Sequence, residues 1–219
     1  MKKSIFRSLF IILLPILLTL AGCSPNSKIN LSNITNIEST TGSTLICFGD
    51  SLTSGVGGDG TNFPSIIEKR LSIPVINSGR SGDTTYSALP RFERDVLAKD
   101  PKIVIVQLGA NDYLLWGDTG KPGYGLEGTF KNLEIMIDRI QEYGAVVVLA
   151  AIPLSSTYNK NYERLAKERG ALLIPNIMKG IYGVRDLMSL DRTHPNDEGY
   201  KVMAETILEY LQPLLKIKK

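Results

Sequence analysis

Ser51, Asp191 and His194 are the residues whose chemical types could together cut an ester. A serine hydroxyl is a weak nucleophile at its own pKa. It becomes effective when an imidazole takes its proton and a carboxylate orients that imidazole. His194 is the only histidine in the chain, so no other side chain competes for the role of imidazole base. It occurs in Asp191-Arg192-Thr193-His194-Pro195-Asn196, where an acid three residues earlier can fold back onto the ring, fix its tautomer and stabilise the imidazolium. Taken singly, each residue has an ordinary reading. Ser51 could be a small turn residue, Asp191 a loop acid or helix cap, and His194 a surface residue opening a helix whose first turn starts with Pro195. The combination is what points to acyl transfer.

Residues far apart in sequence must be brought together by a scaffold, and the hydrophobic pattern indicates which one. Apolar runs at about 44–48, 73–77, 103–108, 145–152 and 171–175 read as strands buried on both faces. Segments with helical spacing fall between and after them, at about 62–71, 84–98, 128–143, 158–169 and 195–214. Pro90 is tolerated in the second only with a kink or a late start. Strand alternating with helix predicts a three-layer α/β/α domain around a five-stranded parallel sheet. Such sheets bind ligands beyond the carboxyl ends of their strands, near the point where strand order reverses. The first three strands run directly into Gly49-Asp50-Ser51-Leu52, Ser78-Gly79-Arg80-Ser81-Gly82-Asp83 and Gly109-Ala110-Asn111-Asp112, all small or polar residues suited to chemistry.

The 219 residues suffice for one ordinary domain once a leader is set aside. The formal charge of +3 comes from Lys2, Lys3 and Arg7, because no acidic residue lies in residues 1–22 and the rest of the chain balances. With no basic run beyond the tail Lys216-Ile217-Lys218-Lys219, nucleic-acid binding is not expected. Residues 1–22 have the charged start and short apolar core of an export signal, too short for a comfortable membrane span. The box Leu20-Ala21-Gly22-Cys23 resembles that of bacterial lipoproteins, which implies an acylated Cys23 as the mature N-terminus and a place in the cell envelope, lipid-anchored and facing the periplasm or exterior. Residues 23–43, polar and without a sustained period, read as the lipidated cysteine and a flexible tether, leaving 44–219 as the hydrolase domain. Cys47, inside an apolar run, reads as a buried and inert thiol.

Gly49-Asp50-Ser51-Leu52, Ser81-Gly82-Asp83-Thr84, Gly109-Ala110-Asn111-Asp112 and Asp191-Arg192-Thr193-His194-Pro195 resemble, in order, the four blocks of the SGNH, or GDSL, hydrolases. The likeness is greatest to the thioesterase, lysophospholipase and arylesterase branch. It implies a flavodoxin-like plan for the domain, with Ser51 as the nucleophile, His194 the base and Asp191 the group that orients it. It further implies an oxyanion hole made by the backbone N–H groups of Ser51 and Gly82 and by the Asn111 side-chain amide. Asp50 and Asp112 belong to the blocks but are expected only to fix loops by hydrogen bonds.

Gly55-Val56-Gly57-Gly58-Asp59-Gly60 matches a dinucleotide fingerprint. It starts too far past the first strand, and the second strand ends in Asn77 where a ribose-binding acid would be wanted. A mobile loop beside the nucleophile is the better reading. With one histidine and one core cysteine, no metal site is expected, and water is the sole co-substrate. Tyr113-Leu114-Leu115-Trp116, leading into a Gly-rich loop at 117–125, is expected to line an acyl pocket. The expected substrates are carboxylic esters or thioesters, lysophospholipids among them. An O-acetyl esterase on envelope or foreign polysaccharide would use the same residues, and a catalytically inactive binding lipoprotein is the non-enzyme alternative.

Overall fold

The computed structural model describes residues 29–118 and 123–215. Residues 1–28, which carry the expected export signal and Cys23, residues 119–122 of the Gly-rich loop and the last four residues lie outside them. Five strands, β1 (Thr44–Gly49), β2 (Val75–Gly79), β3 (Pro101–Gln107), β4 (Val146–Ala150) and β5 (Leu172–Ile174), form one parallel sheet in the order β2-β1-β3-β4-β5. Leu45 and Cys47 of β1 face one side and Ile46 and Phe48 the other, and all four are fully buried. This two-residue alternation into two separate cores is why the strand reads as an unbroken apolar run. Each fully buried Val, Leu or Ile side chain contributes about 1.5–3 kcal/mol.

Helices α2 (Phe63–Glu68) and α7 (Asp197–Leu215) cover the first face. Helices α3 (Thr85–Asp95), α5 (Gly125–Tyr143) and α6 (Ser156–Arg169) cover the second. Pro90 lies inside α3, whose start is fixed by a reciprocal capping box between Thr84 and Ser87. Cys47 is a free, buried thiol whose pKa burial pushes well above the usual range, so it is inert as expected.

Two short helices were not legible in the sequence: α1 (Ser51–Ser54) and α4 (Ala110–Trp116). Both begin at a strand end, inside a block of small polar residues, and neither is long enough to display a period.

The domain boundary expected at residue 44 is also corrected. Residues 29–43 are no free tether but a strap laid across the start of the sheet. Thr35 N donates to Gly170 O at 2.9 Å, Asn36 Nδ2 to the carbonyls of Gln141 and Ala145 at 2.8 and 3.1 Å, and Thr40 Oγ1 to Lys102 O at 3.1 Å. Ile29, Leu31, Ile34 and Ile37 pack against the core on the α2/α7 face. Their irregular spacing hid them, since a strap follows the surface beneath it and has no period of its own. Among the described residues no helix is long and apolar enough to cross a membrane.

Candidate active site

Strand order reverses at β1, which has β2 on one side and β3 on the other. The register pairs Gly49 with both Gly79 and Gln107. Ser51, Gly82 and Asn111 therefore follow three adjacent strand ends at the same level of the sheet, in the crevice where parallel sheets take ligands.

Ser51 opens α1 directly after Asp50, whose Oδ1 caps that turn by accepting from Leu52 N at 3.0 Å. Asp50 is buried, and the loss of solvation raises its pKa to about 6, opposed by hydrogen bonds from Leu52 and Gln107. Ser51 Oγ lies 2.8 Å from His194 Nε2, and His194 Nδ1 lies 2.6 Å from Asp191 Oδ2. The three side chains form one unbroken hydrogen-bonded row, assembled from residues 143 and 3 positions apart.

Asp191 can hold the ring because its own turn grips its other oxygen. Oδ1 accepts from Thr193 N at 2.8 Å, His194 N at 2.9 Å and Ser189 Oγ at 2.7 Å. These donors, led by the His194 backbone N–H, hold the carboxyl far below the usual carboxylate range. The turn closes through Ser189 N to His194 O at 2.9 Å and obliges Arg192 to adopt φ +57°. Asn196 then ties the turn to what precedes it, donating to Asp186 O at 2.9 Å while its Oδ1 accepts from Gly199 N at the start of α7.

The Gly55–Gly60 run serves this histidine. A Cβ on Gly57, at φ +92°, would come within 2.6 Å of Pro195 O and 2.9 Å of the His194 Cβ. Asp59 N donates to Asp197 Oδ1 at 2.8 Å. The loop is thus docked on the His194 turn and the start of α7 rather than free beside the nucleophile.

Asn111 Nδ2 donates to Asp83 O at 2.9 Å, which uses one of its two N–H bonds and leaves the other for a ligand. Gly82 has φ +81°, and an added Cβ would meet nothing within 4 Å. Glycine is required there by the left-handed backbone and not, in the absence of substrate, by close approach. Asp112 turns inward and accepts from Thr85 N at 2.9 Å and Thr85 Oγ1 at 2.5 Å, locking the Asn111 block to the start of α3.

The sequence reading missed Arg91. This buried side chain reaches Asp83 Oδ2 at 2.6 Å, Ser78 O at 2.8 Å and Gly49 O at 3.1 Å, and its guanidinium sits 4.2 Å from the Phe48 ring centroid. It joins the ends of β1 and β2 to the loop carrying Gly82. The available signal was a cation on the apolar face of α3, beside Ala88 and Phe92, with acids eight residues before and four after it.

The four residues expected to line an acyl pocket do not act alike. Tyr113 turns into the core and packs edge-on against Tyr158, centroids 5.1 Å apart, so it leaves the expected lining. Leu114 and Leu115 are 72% and 64% exposed. Trp116 packs on Tyr124, which packs on Tyr86, at 5.1 and 5.3 Å. Tyr86, Tyr124 and Trp116 thus form one aromatic row. A cavity of about 650 Å³ adjoins the Asp191 turn, lined by Tyr182, Arg185, Met188, Leu190 and Arg192 among others.

A parallel-sheet α/β/α domain with a Ser–His–Asp row at its switch point is a hydrolase of the SGNH class. Residues 47–202 match the model of the GDSL-like Lipase/Acylhydrolase family, and the chain belongs to that family. It is 28% identical to Esterase TesA of Pseudomonas aeruginosa over 212 residues, covering 90% of this chain and 98% of the relative. It is also 28% identical to Thioesterase 1/protease 1/lysophospholipase L1 of Escherichia coli over 183 residues, covering 78% and 85%. A crystal structure of TesA superposes with a TM-score of 0.71 at 27% identity, over 78% of this chain and 99% of that one. A lipoprotein of Bacillus subtilis, YqeF, is 28% identical over 54% of this chain and 52% of its own length. The protein is a serine ester hydrolase.

Proposed function

We propose that the protein hydrolyses acyl esters or thioesters through an acyl-enzyme on Ser51. As Ser51 Oγ forms its bond to the acyl carbon, its proton passes to His194 Nε2, and Asp191 steadies the imidazolium. The carbonyl oxygen becomes an oxyanion held by the N–H groups of Ser51 and Gly82 and by the free N–H of Asn111. The tetrahedral species collapses, the alcohol or thiol leaves with the proton from His194, and a water repeats the sequence to release the acid. The observation that carries this reading is the row from Ser51 Oγ through the imidazole to Asp191, at 2.8 and 2.6 Å. Water accounts for the deacylating step, and the scheme uses no cofactor or metal.

Exposed Leu114 and Leu115, with Trp116, Tyr124 and Tyr86, support acyl chains longer than acetyl, lysophospholipids included. The lipobox-like segment ending at Cys23 and the lipoprotein relative support a chain anchored by lipid in the cell envelope and facing the periplasm or exterior. Comparison of the wild type with Ser51→Ala on acetyl, medium-chain aryl and lysophospholipid esters tests the reading. Expected is a loss of at least about 10⁴-fold in kcat on every ester, with the wild type preferring the longer chains. Residual turnover within tenfold of wild type would remove Ser51 from the chemistry, and a strict preference for acetyl groups would favour the polysaccharide alternative.

A further inference from the structure

We infer that the protein stands on its anchoring bilayer by the pole opposite Ser51, so that the site opens away from that membrane and takes esters arriving from the far side. This rests on the proposed acylation of Cys23. The strap meets the domain at the amino ends of the strands. Thr35 binds Gly170 just before β5, Asn36 binds Ala145 just before β4, and Ser43 and Thr44 bind Asp100 just before β3. Ser51, Gly82 and Asn111 follow the carboxyl ends of those same parallel strands. The two ends of the sheet cannot exchange roles, because every strand runs the same way.

Reach decides the consequence. Residues 23–28 can span at most about 20 Å, however they run. A domain of this length is about 40 Å across. To turn the site onto the bilayer, the strap would have to rise by that full width. Even peeling the chain back to Asn33, beside Gly170, frees only about 35 Å. With the domain lying on its side, Ser51 still stands about 20 Å above the surface.

Charge at the same pole agrees. Helix α7 runs from the His194 turn back down, and its last residues, Leu214 and Leu215, share a cavity with Ile37, Thr40 and Lys102. In the sequence Lys216, Lys218 and Lys219 come after Leu215, and anionic headgroups attract cations near the surface. The exposed Leu114 and Leu115 stand at the other end, where they meet substrate and not the anchoring lipid.

The test uses the full, acylated chain in phosphatidylcholine/phosphatidylglycerol vesicles, with acylation of Cys23 read from the mass of the N-terminal peptide. Two forms of one fluorogenic medium-chain ester are compared, one free in solution and one coupled to a double-chain lipid in the same bilayer. Expected is turnover of the bilayer-held form at least about tenfold slower than the free form. Insertion of ~20 Gly/Ser residues between Ser27 and Lys28 should raise it at least fivefold and leave the free ester unchanged. Dyes on Lys99→Cys and Leu190→Cys should show strong energy transfer to a headgroup acceptor for the first and weak transfer for the second. Equal transfer, or rapid cis hydrolysis without the insertion, overturns the orientation while leaving the esterase and its anchor intact. An unacylated Cys23 overturns both anchor and orientation, and a chain inactive on the free ester overturns the esterase reading instead.

Discussion

The guanidinium of Arg91 donates to the backbone carbonyl of Gly49 at 3.1 Å, two residues before the nucleophile, while its Nε binds Asp83 in the loop that presents Gly82. The ion pair is nearly sealed, with side chains 7% and 5% exposed. Replacing only Arg91 leaves a buried carboxylate without its partner, which typically costs 3–5 kcal/mol. Arg91→Met should therefore lose about 3–5 kcal/mol of unfolding free energy and unfold at a correspondingly lower denaturant midpoint. The double variant Arg91→Met/Asp83→Asn should recover part of the stability, and less of kcat, because the carbonyls of Gly49 and Ser78 stay untethered. Urea unfolding with ester turnover on the same samples checks both.

Gly57 gives a second prediction, since its missing side chain is what lets the His194 turn sit where it does. A methyl group there would press on Pro195 O and the His194 Cβ at a strained φ of +92°. A displacement of about 1 Å in a catalytic group can cost around 10²-fold. Gly57→Ala should lower kcat by about that factor with KM little changed. Gly60→Ala, at φ +77° but in open space, should lose stability without a comparable loss of kcat. Equal kinetic effects in the two variants would show that backbone strain, not the histidine's position, is responsible.

Asp50 sets a pH dependence of stability. Its folded pKa is raised to about 6 by burial, above the ordinary value of 3.8, so between those values the folded state binds more protons than the unfolded one. Stability must fall as pH rises through that window, by about 3 kcal/mol at 1.36 kcal/mol per unit, and stay lower above it. Asp191 has the opposite sign. Its lowered pKa stabilises the fold above the ordinary carboxylate value and is lost in stronger acid, a window that lies below that of Asp50. Asp50→Asn keeps an oxygen for Leu52 N and should flatten the unfolding free energy between about pH 4 and 6. An unchanged slope would place the titration elsewhere.

The exposed leucines predict chain-length selectivity. Leu114→Ser/Leu115→Ser should raise KM for medium-chain esters by about tenfold, in line with losing roughly 1–2 kcal/mol of apolar contact, and leave acetyl esters almost unaffected. A uniform loss across chain lengths would instead make α4 a support for Asn111.

The sequence by itself determined the layers and the reacting groups. Strands buried on both faces must be apolar throughout, which made the parallel sheet visible, and a single histidine left one candidate for the base. It also carried the blocks that mark the family, because each block is local and short. Only the tertiary structure decided how those groups are held. Arg91 earns its place from carbonyls on two different strands, Gly57 from a turn that follows it by more than 130 residues, and the strap at 29–43 from the particular surface beneath it. None of these has a period, because each is a match between distant surfaces, and such matches exist only after the chain has closed on itself.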